Sequence, residues 1–556
     1  MDIVNYLPCP PCLPCLLVSP PFLMSPVTKD LFAQEALAQI PKILTLLDRN
    51  PHSPTYGCFD RNFWQYKIID FPSGMAQEFV YPLALAYNTN IPNNPFYQQS
   101  VIRDWVIAGI NFAAQSAHRD GSCDDYFPFE RAAGAAAFSL LAGIESYTLL
   151  ELDHPKALQF FSLRADWLGH HQESGRLTNH QALIVLSLSL LSRLLNTNRW
   201  DSVIEQRLEQ VLAWQNPEGW FIEYEGCDPG YHTLTVDCLA RIYELKPSNQ
   251  LKTALTKAVE LAAHFVHPDG SFGGEYTSRN TYNFFPHGFE LVGKWLPEAL
   301  NINDRFLQGL ANNLAPCYAD DHIIGHHTWN YLLTWRDFVP VRATIKPPSQ
   351  GRLWLKEGGI LIERRQDTEL YLALNKGGAF KLFRQGKLIA SDTQFSVQLQ
   401  RRNSKKNAVA HLMSANQIEV KEDEITISGS LGWAKQKQMN PQNLLILRLV
   451  MLSVGRFFPN LIRSLLQKIL ITGKQSAPFQ FRRQLRWESG KWRITDELKA
   501  NSWKQVETVG IGCDQTSIYV VMSRTFQLGQ LQPWWDLTEQ VRELSDGEVL
   551  RLEREF

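Results

Sequence analysis

The chain has 556 residues, enough for two to four domains with sizeable cores. Hydrophobic residues make up 44% and charged residues 20%, the composition of a soluble globular protein. A formal net charge of -1 and a pI of about 6.9 leave no global electrostatic case for nucleic acid.

Residues 1–26 are rich in proline and cysteine and read as a disordered extension, with Met24 as an alternative start. Cys9, Cys12 and Cys15 have metal-like spacing but no second pair follows them. The nine cysteines are otherwise scattered, which argues against a disulfide framework. The prolines also spoil a signal-peptide core, and no apolar run reaches the ~18–20 residues that span a bilayer. A cytoplasmic location follows by default.

Helical periodicity starts at Thr28 to Arg49, on Leu31, Leu37, Ile40, Ile43, Leu44 and Leu47. It returns near 75–90, 99–117, 131–151, 154–168, 179–197, 201–215, 231–245, 250–266, 281–297, 302–316 and 326–338. Gly121, Gly175, Gly219 and Gly270 recur at intervals of about 50 residues, one helical hairpin each. A chemically loaded connection follows each glycine. In a ring of hairpins these connections share one face, where function tends to sit.

The richest connection runs from Gly219 to Ala240. Trp220, Glu223 and Glu225 precede Asp228, a good N-cap, and Pro229, which suits the first helical position. Tyr231 and His232 then fall in the first turn, at the end of a helix that favours anions. A phenol and an imidazole there can move protons on an anionic substrate. They can equally be a packed aromatic and a polar cap.

From about residue 350 the pattern alternates apolar and polar residues between turns, as in an antiparallel β-sandwich. The expected organisation is therefore an α/α toroid over 27–345, complete or incomplete, and a β-sandwich over 346–556. Residues 444–473 interrupt the sandwich as an apolar, basic and helical insertion. That insertion can lie on a membrane surface as a peripheral contact, or pack over the sandwich or the toroid.

With Asn179-His180 opening one inner helix and Pro229-Gly230-Tyr231-His232 the next, the chain resembles the heparinase II/III-like polysaccharide lyases, an architecture shared with alginate and oligoalginate lyases. The stretch Glu275 to Asn280 resembles the next inner loop of that family. The resemblance implies β-elimination on a uronic-acid polymer: the C5 proton is removed and the C4 oxygen leaves. Asn179 and His180 match the residues that neutralise the uronate carboxylate, and Tyr231 matches the base, the acid or both. An ordinary phenol, with a pKa near ~10, is a poor base at neutral pH. His180, His232 and Arg279 are the positive groups available to lower it. Arg279 can also clamp the carboxylate. His232, Arg279, Asn280, Tyr282, Trp220 and Glu225 complete the expected substrate contacts. The expected partner is an acidic polysaccharide, a glycosaminoglycan or alginate among the possibilities, and no metal or cofactor is implied.

One departure stands out. The family carries a further histidine early in its sandwich, where this chain reads Lys376-Gly377-Gly378. His411 lies off that motif, and His322, His326 and His327 are alternative imidazoles or a metal-like run. Two other readings follow: a catalytically reduced glycan-binding protein linked to exopolysaccharide synthesis, and a toroid glycoside hydrolase using two carboxylates. Asp124, Asp125, Glu130, Glu223, Glu225, Asp228 and Glu275 are the acids open to the last.

Overall fold

The computed structural model describes residues 28–556 except 174, 224–225, 316–323, 343, 345–347, 402–403, 435–438, 468–473 and 513–533. The extension over 1–26, Glu225 and His322 lie outside the described residues.

Among the described residues, twelve α-helices precede the strands of the second half. They are α1 (Asp30–Leu46), α2 (Val80–Asn88), α3 (Ser100–Ser116), α4 (Ala133–Leu149), α5 (Pro155–His170) and α6 (Thr178–Leu195). Then come α7 (Asp201–Ala213), α8 (Pro229–Leu245), α9 (Asn249–Ala262), α10 (His287–Gly293), α11 (Glu298–Ala311) and α12 (Ile324–Arg336). The even-numbered helices pack in sequence, and α12 returns to α2, so they close an inner ring. Each odd-numbered helix backs one of them. The ring is complete, with six hairpins.

Sequence explains the two layers. α4 is apolar and small on nearly every side and is buried almost throughout, as an inner helix must be. α9 buries one face only, through Leu251, Leu255, Ala258 and Val259. The four periodic glycines all adopt positive φ, 85° at Gly121, 93° at Gly175, 99° at Gly219 and 87° at Gly270. Only glycine takes that turn cheaply. At Gly270 a Cβ would also lie 2.4 Å from the Gly309 nitrogen.

The expected helix over 281–297 is shorter than its periodicity suggests. Residues 281–286 take no regular secondary structure, and α10 begins only after Pro286. The Phe285 N–H donates to Thr233 Oγ1 (3.0 Å) rather than to a helical carbonyl, and the residue before a proline avoids helical geometry.

A short ribbon, β1 (Ile222–Glu223) and β2 (Gly226–Cys227), sits between α7 and α8. The first sheet of the second half is antiparallel, in the order β3 (Gly351–Leu355), β4 (Ile360–Arg365), β5 (Thr368–Ala373), β6 (Ala379–Arg384) and β7 (Lys387–Asp392). Its strands alternate between two cores. Ile360, Ile362, Tyr371, Ala373 and Phe383 join the helical core, whereas Leu361, Leu370, Leu372 and Leu382 join the core between the sheets. Period-two geometry thus fastens the sandwich to the toroid through one shared sheet.

The second sheet is built on β8 (Phe395–Arg401), β9 (Ser404–Val409), β10 (Gln417–Val420) and β11 (Glu424–Ala434). It continues through β12 (Ser476–Glu488), β13 (Lys491–Ala500), β14 (Val506–Ile511), β15 (Trp535–Asp536) and β16 (Val549–Glu555). The alternation pattern did not mark β9 or β16. Lys405-Lys406 interrupts the first, and the second is half charged. Between β11 and β12 the insertion forms α13 (Pro441–Val450), a π turn over 451–455 and α14 (Pro459–Gln467). A last short helix, α15 (Thr538–Arg542), follows β15.

Candidate active site

The site forms where α6 and α8 begin. Asp228 caps α8, its carboxylate accepting from the Tyr231 N–H (3.1 Å). The same carboxylate accepts from Thr277 Oγ1 (3.1 Å), the Arg279 N–H (3.3 Å) and Thr281 Oγ1 (2.5 Å). One N-cap therefore also fixes the loop that carries Arg279. The fit is tight: a Cβ on Gly230 would lie 2.1 Å from Thr281 Oγ1.

The ribbon ties α6 to this assembly. Thr178 Oγ1 donates to the Ile222 carbonyl (2.6 Å), and Ser278 N–H donates to the Cys227 carbonyl (3.0 Å). Between them Glu223 is fully buried. Its Oε1 accepts from the Asn179 backbone N–H (2.9 Å) and from Asn179 Nδ2 (2.7 Å), and its Oε2 faces Arg279 Nη1 at 3.3 Å. Burial raises the Glu223 pKa, and the Arg279 charge and the Asn179 donors oppose that rise. The Arg279 guanidinium lies over the Tyr231 ring, 3.9 Å from its centroid. The contact is a cation–π pair. Tyr231 is buried, at 7% exposed.

His180 is placed from the other side. Its Nδ1–H donates to Glu173 Oε2 (2.8 Å), which fixes the tautomer, and its side chain is 18% exposed. Glu173 is enclosed, yet its pKa falls to about 2. The His180 and Arg463 charges together overcome the cost of burial. Arg463 arrives from α14 and meets Glu173 Oε1 at 2.5 Å. The insertion between the sandwich strands thus contributes to this corner of the ring. Gly134, at the start of α4, leaves room for the imidazole: a Cβ there would lie 2.6 Å from His180 Cε1.

The structure therefore gathers Asn179, Tyr231 and Arg279 around Glu223, with His180 held by Glu173. Asn179, Tyr231 and Arg279 are themselves buried, and the other expected contacts are enclosed by protein as well. His232 is buried, its Nδ1 accepting from the Phe221 N–H (3.4 Å) and its Nε2 donating to the Ala258 carbonyl (2.9 Å). Burial lowers its pKa to about 4, so it is a neutral strut and neither a substrate contact nor a charge that tunes Tyr231. Trp220 is buried where the ring meets the sandwich, its Nε1 donating to Glu218 Oε2 (3.0 Å), so it offers no sugar platform. Tyr282 is buried under Lys381 Nζ, 4.5 Å from the ring centroid. Asn280 is buried, with φ of 57°, and its Oδ1 accepts from Lys376 Nζ.

Lys376 stands where the resemblance called for a histidine. It sits on the β5–β6 turn and donates also to the carbonyls of Glu275 (3.1 Å) and Thr277 (2.7 Å). It clamps the Arg279 loop from the sandwich side. Burial pushes its pKa down to about 7, against the pull of Asp228 and Glu275. His411 is buried behind it and meets the Thr393 carbonyl (3.2 Å). Burial, and then the Lys376 charge, push its pKa to about 3.

The alternative imidazoles are core residues. His326 Nδ1 meets both Glu78 oxygens (2.6 and 2.7 Å) and its ring stacks on Phe138 at 3.7 Å. His327 pairs with Asn283 Oδ1 (3.1 Å). The described residues contain no cluster of His, Cys, Asp or Glu that could hold a metal. Of the acids open to a hydrolase, Asp124, Glu130, Glu223 and Asp228 are committed internally. Asp124 accepts from the Phe129 N–H (2.7 Å) and the Arg131 N–H (3.1 Å), and Glu130 from the Tyr126 N–H (2.7 Å). Glu223 and Asp228 hold the site together as described. Glu173 and Lys376, which no motif marked, owe their roles to tertiary placement alone.

The chain matches no protein-family model and no curated protein sequence. Among solved structures it is similar to the chondroitin AC lyase of Streptomyces coelicolor A3 in complex with chondroitin sulphate. The two are 9% identical with a TM-score of 0.56, over 97% of this chain and 80% of that one. It is also similar to a Paenibacillus xanthan lyase (9% identity, TM-score 0.48, 87% of this chain and 46% of that one). A heparinase III is a third such structure (10%, 0.42, 87% and 71%). The likeness to the chondroitin lyase shows the fold, a helical toroid followed by antiparallel sheets. It does not single out the heparinase II/III branch.

Proposed function

We propose that the chain is a polysaccharide lyase that cleaves a uronic-acid-containing acidic polysaccharide by β-elimination. The observation that carries this reading is the Tyr231 ring beneath the Arg279 guanidinium, next to the start of α6, on a fold shared with a chondroitin lyase. In this reading Tyr231 takes the C5 proton and returns one to the leaving C4 oxygen. Arg279 lowers the cost of the phenolate. Asn179 and His180, at a helix N-terminus, stabilise the charge that builds on the uronate carboxylate. Lys376 positions the Arg279 loop and takes no part in proton transfer.

The test is product analysis on acidic polysaccharides. Elimination leaves an unsaturated ring at the new non-reducing end, whereas hydrolysis leaves saturated ends and adds a water. Unsaturated products support the reading. Saturated products would overturn it in favour of a hydrolase.

One observation favours a second reading. Glu223 already occupies Asn179 Nδ2 and faces Arg279, so a carboxylate of the protein sits among the donors that a substrate carboxylate would need. A catalytically reduced, glycan-binding relative fits that arrangement. It predicts retention on acidic polysaccharide without any product.

A further inference from the structure

The insertion between β11 and β12 exposes an apolar surface that the fold does not use. Leu445, Ile446, Leu449, Phe457, Phe458 and Leu461 are each between 56% and 66% exposed. α13 contributes no buried residue at all. Scattered exposed leucines are ordinary, but six large apolar side chains within 17 positions are not. The insertion is nonetheless anchored. Arg448 pairs with Asp70 (2.9 Å), Arg463 with Glu173 (2.5 Å), and Asn460 Nδ2 donates to the Gln172 carbonyl (3.1 Å). These contacts hold one side of the helix pair on the toroid and leave the apolar residues outward.

Charge identifies what the outward side meets. From Ile425 to Trp487 the sequence has no Asp or Glu, while Lys435, Lys437, Arg448, Arg456, Arg463, Lys468 and Lys474 are all basic. Arg456 is exposed beside Phe457, 4.6 Å from its ring centroid. A second copy of the chain is a poor occupant, because a two-fold contact would bring two acid-free basic spans together. An anionic bilayer supplies both things this surface lacks, an apolar layer for the leucines and phenylalanines and negative headgroups for the basic residues. No helix among the described residues is long and apolar enough to cross a membrane, so the fit is to its surface.

We propose that α13 and α14 dock this protein on an anionic membrane surface, with the apolar row at the headgroup boundary. Because Arg463 also holds Glu173, docking would set the opening of the ring beside the bilayer. The inference stands apart from the proposed chemistry, since it rests on a surface that the site does not use.

The test is flotation of the full chain with vesicles of phosphatidylcholine alone, or with roughly one third phosphatidylglycerol. At least roughly tenfold more protein should float with the anionic vesicles, and added salt should reduce it. A Leu445→Ser, Leu449→Ser, Phe457→Ser, Phe458→Ser variant should lose flotation while keeping its thermal midpoint, since all four side chains are exposed. Arg456→Glu should weaken flotation with the anionic vesicles. No flotation, or flotation unchanged in the fourfold variant, overturns the proposal. So does a concentration-dependent dimer that the same substitutions abolish, which would assign the surface to a second copy. Flotation lost on deleting residues 1–27, with the helix pair intact, would assign the binding to that segment instead.

Discussion

Arg279 in the helical ring and Arg483 between the sheets are both buried against carboxylates, but they are held differently. Arg483 donates to Asp496 (2.6 and 2.9 Å) and to Asp392 (2.6 and 3.1 Å), and Arg554 reaches the same two acids at 2.5 and 2.8 Å. Two cations face two anions, with Arg483 fully buried among them. Burial works against the Arg483 charge, and the two aspartates overcome it and raise its pKa. Arg279 faces the Glu223 carboxylate at 3.3 Å and gives its flat side to a phenol. Beside it the Asn179 Oδ1 is buried without a hydrogen-bond partner among the described residues. A network of two cations on two anions fixes the structure, although the Arg554 Nε is also buried without a partner among the described residues. The ring cluster differs in holding a titratable phenol against its cation.

Substitutions should separate the two. Tyr231→Phe keeps the ring under Arg279 and removes only the hydroxyl. It should lower turnover by about 10²–10⁴-fold, the usual worth of a proton-transfer group, while unfolding free energy changes by about 1 kcal/mol or less. Asp496→Asn should do the reverse. Leaving Arg483 under-compensated should cost about 3–5 kcal/mol in urea unfolding, with activity per folded molecule retained. Glu223→Gln tests the ring cluster. It should cost about 1–3 kcal/mol, less than Asp496→Asn. An equal cost would mean that the Arg279 cluster is as much a strut as the Arg483 one.

The smallest expected effect is on pH dependence. Burial lowers His232 to about 4, whereas an exposed histidine titrates near ~6.5. Between those values the unfolded chain binds a proton that the folded chain refuses, so stability falls as pH drops through the window and this loss levels off below it. Asp237 and Asp337, each 2.9 Å away, overcome burial and raise the His287 pKa, so that residue works in the opposite sense. Its stabilisation is complete below about 6.5 and fades as pH rises through its folded value. His232→Gln should flatten the acid limb of a stability–pH curve, and His287→Gln the neutral limb.

Much of this was legible in the sequence, for identifiable reasons. The glycine period marked the hairpins because each needs a left-handed turn. The Asp228-Pro229 pair marked the start of α8 because capping is local. The alternation around Leu361 and Leu370 marked a sheet, although not that both of its faces are buried. The site was only partly readable. Tyr231 and Asn179 sit at helix starts, which sequence can locate. Glu223 was one acid among several, and its place between Asn179 and Arg279 comes from a two-residue ribbon too short for any periodicity. His232 and Trp220 are site-like residue types, and burial at one helix and one interface decided against them. Lys376 reaches the Arg279 loop across about 100 positions of chain, which no local pattern records.

The most direct test is the ultraviolet absorbance of a new double bond conjugated to a uronate carboxylate. It would follow wild type and Tyr231→Phe over heparan sulfate, hyaluronan, alginate and a crude bacterial exopolysaccharide. Absorbance that grows with wild type on at least one polymer, and stays flat with Tyr231→Phe, is the predicted result. Equal absorbance from the two proteins would remove Tyr231 from the chemistry, and a flat trace from wild type on every polymer would contradict elimination itself.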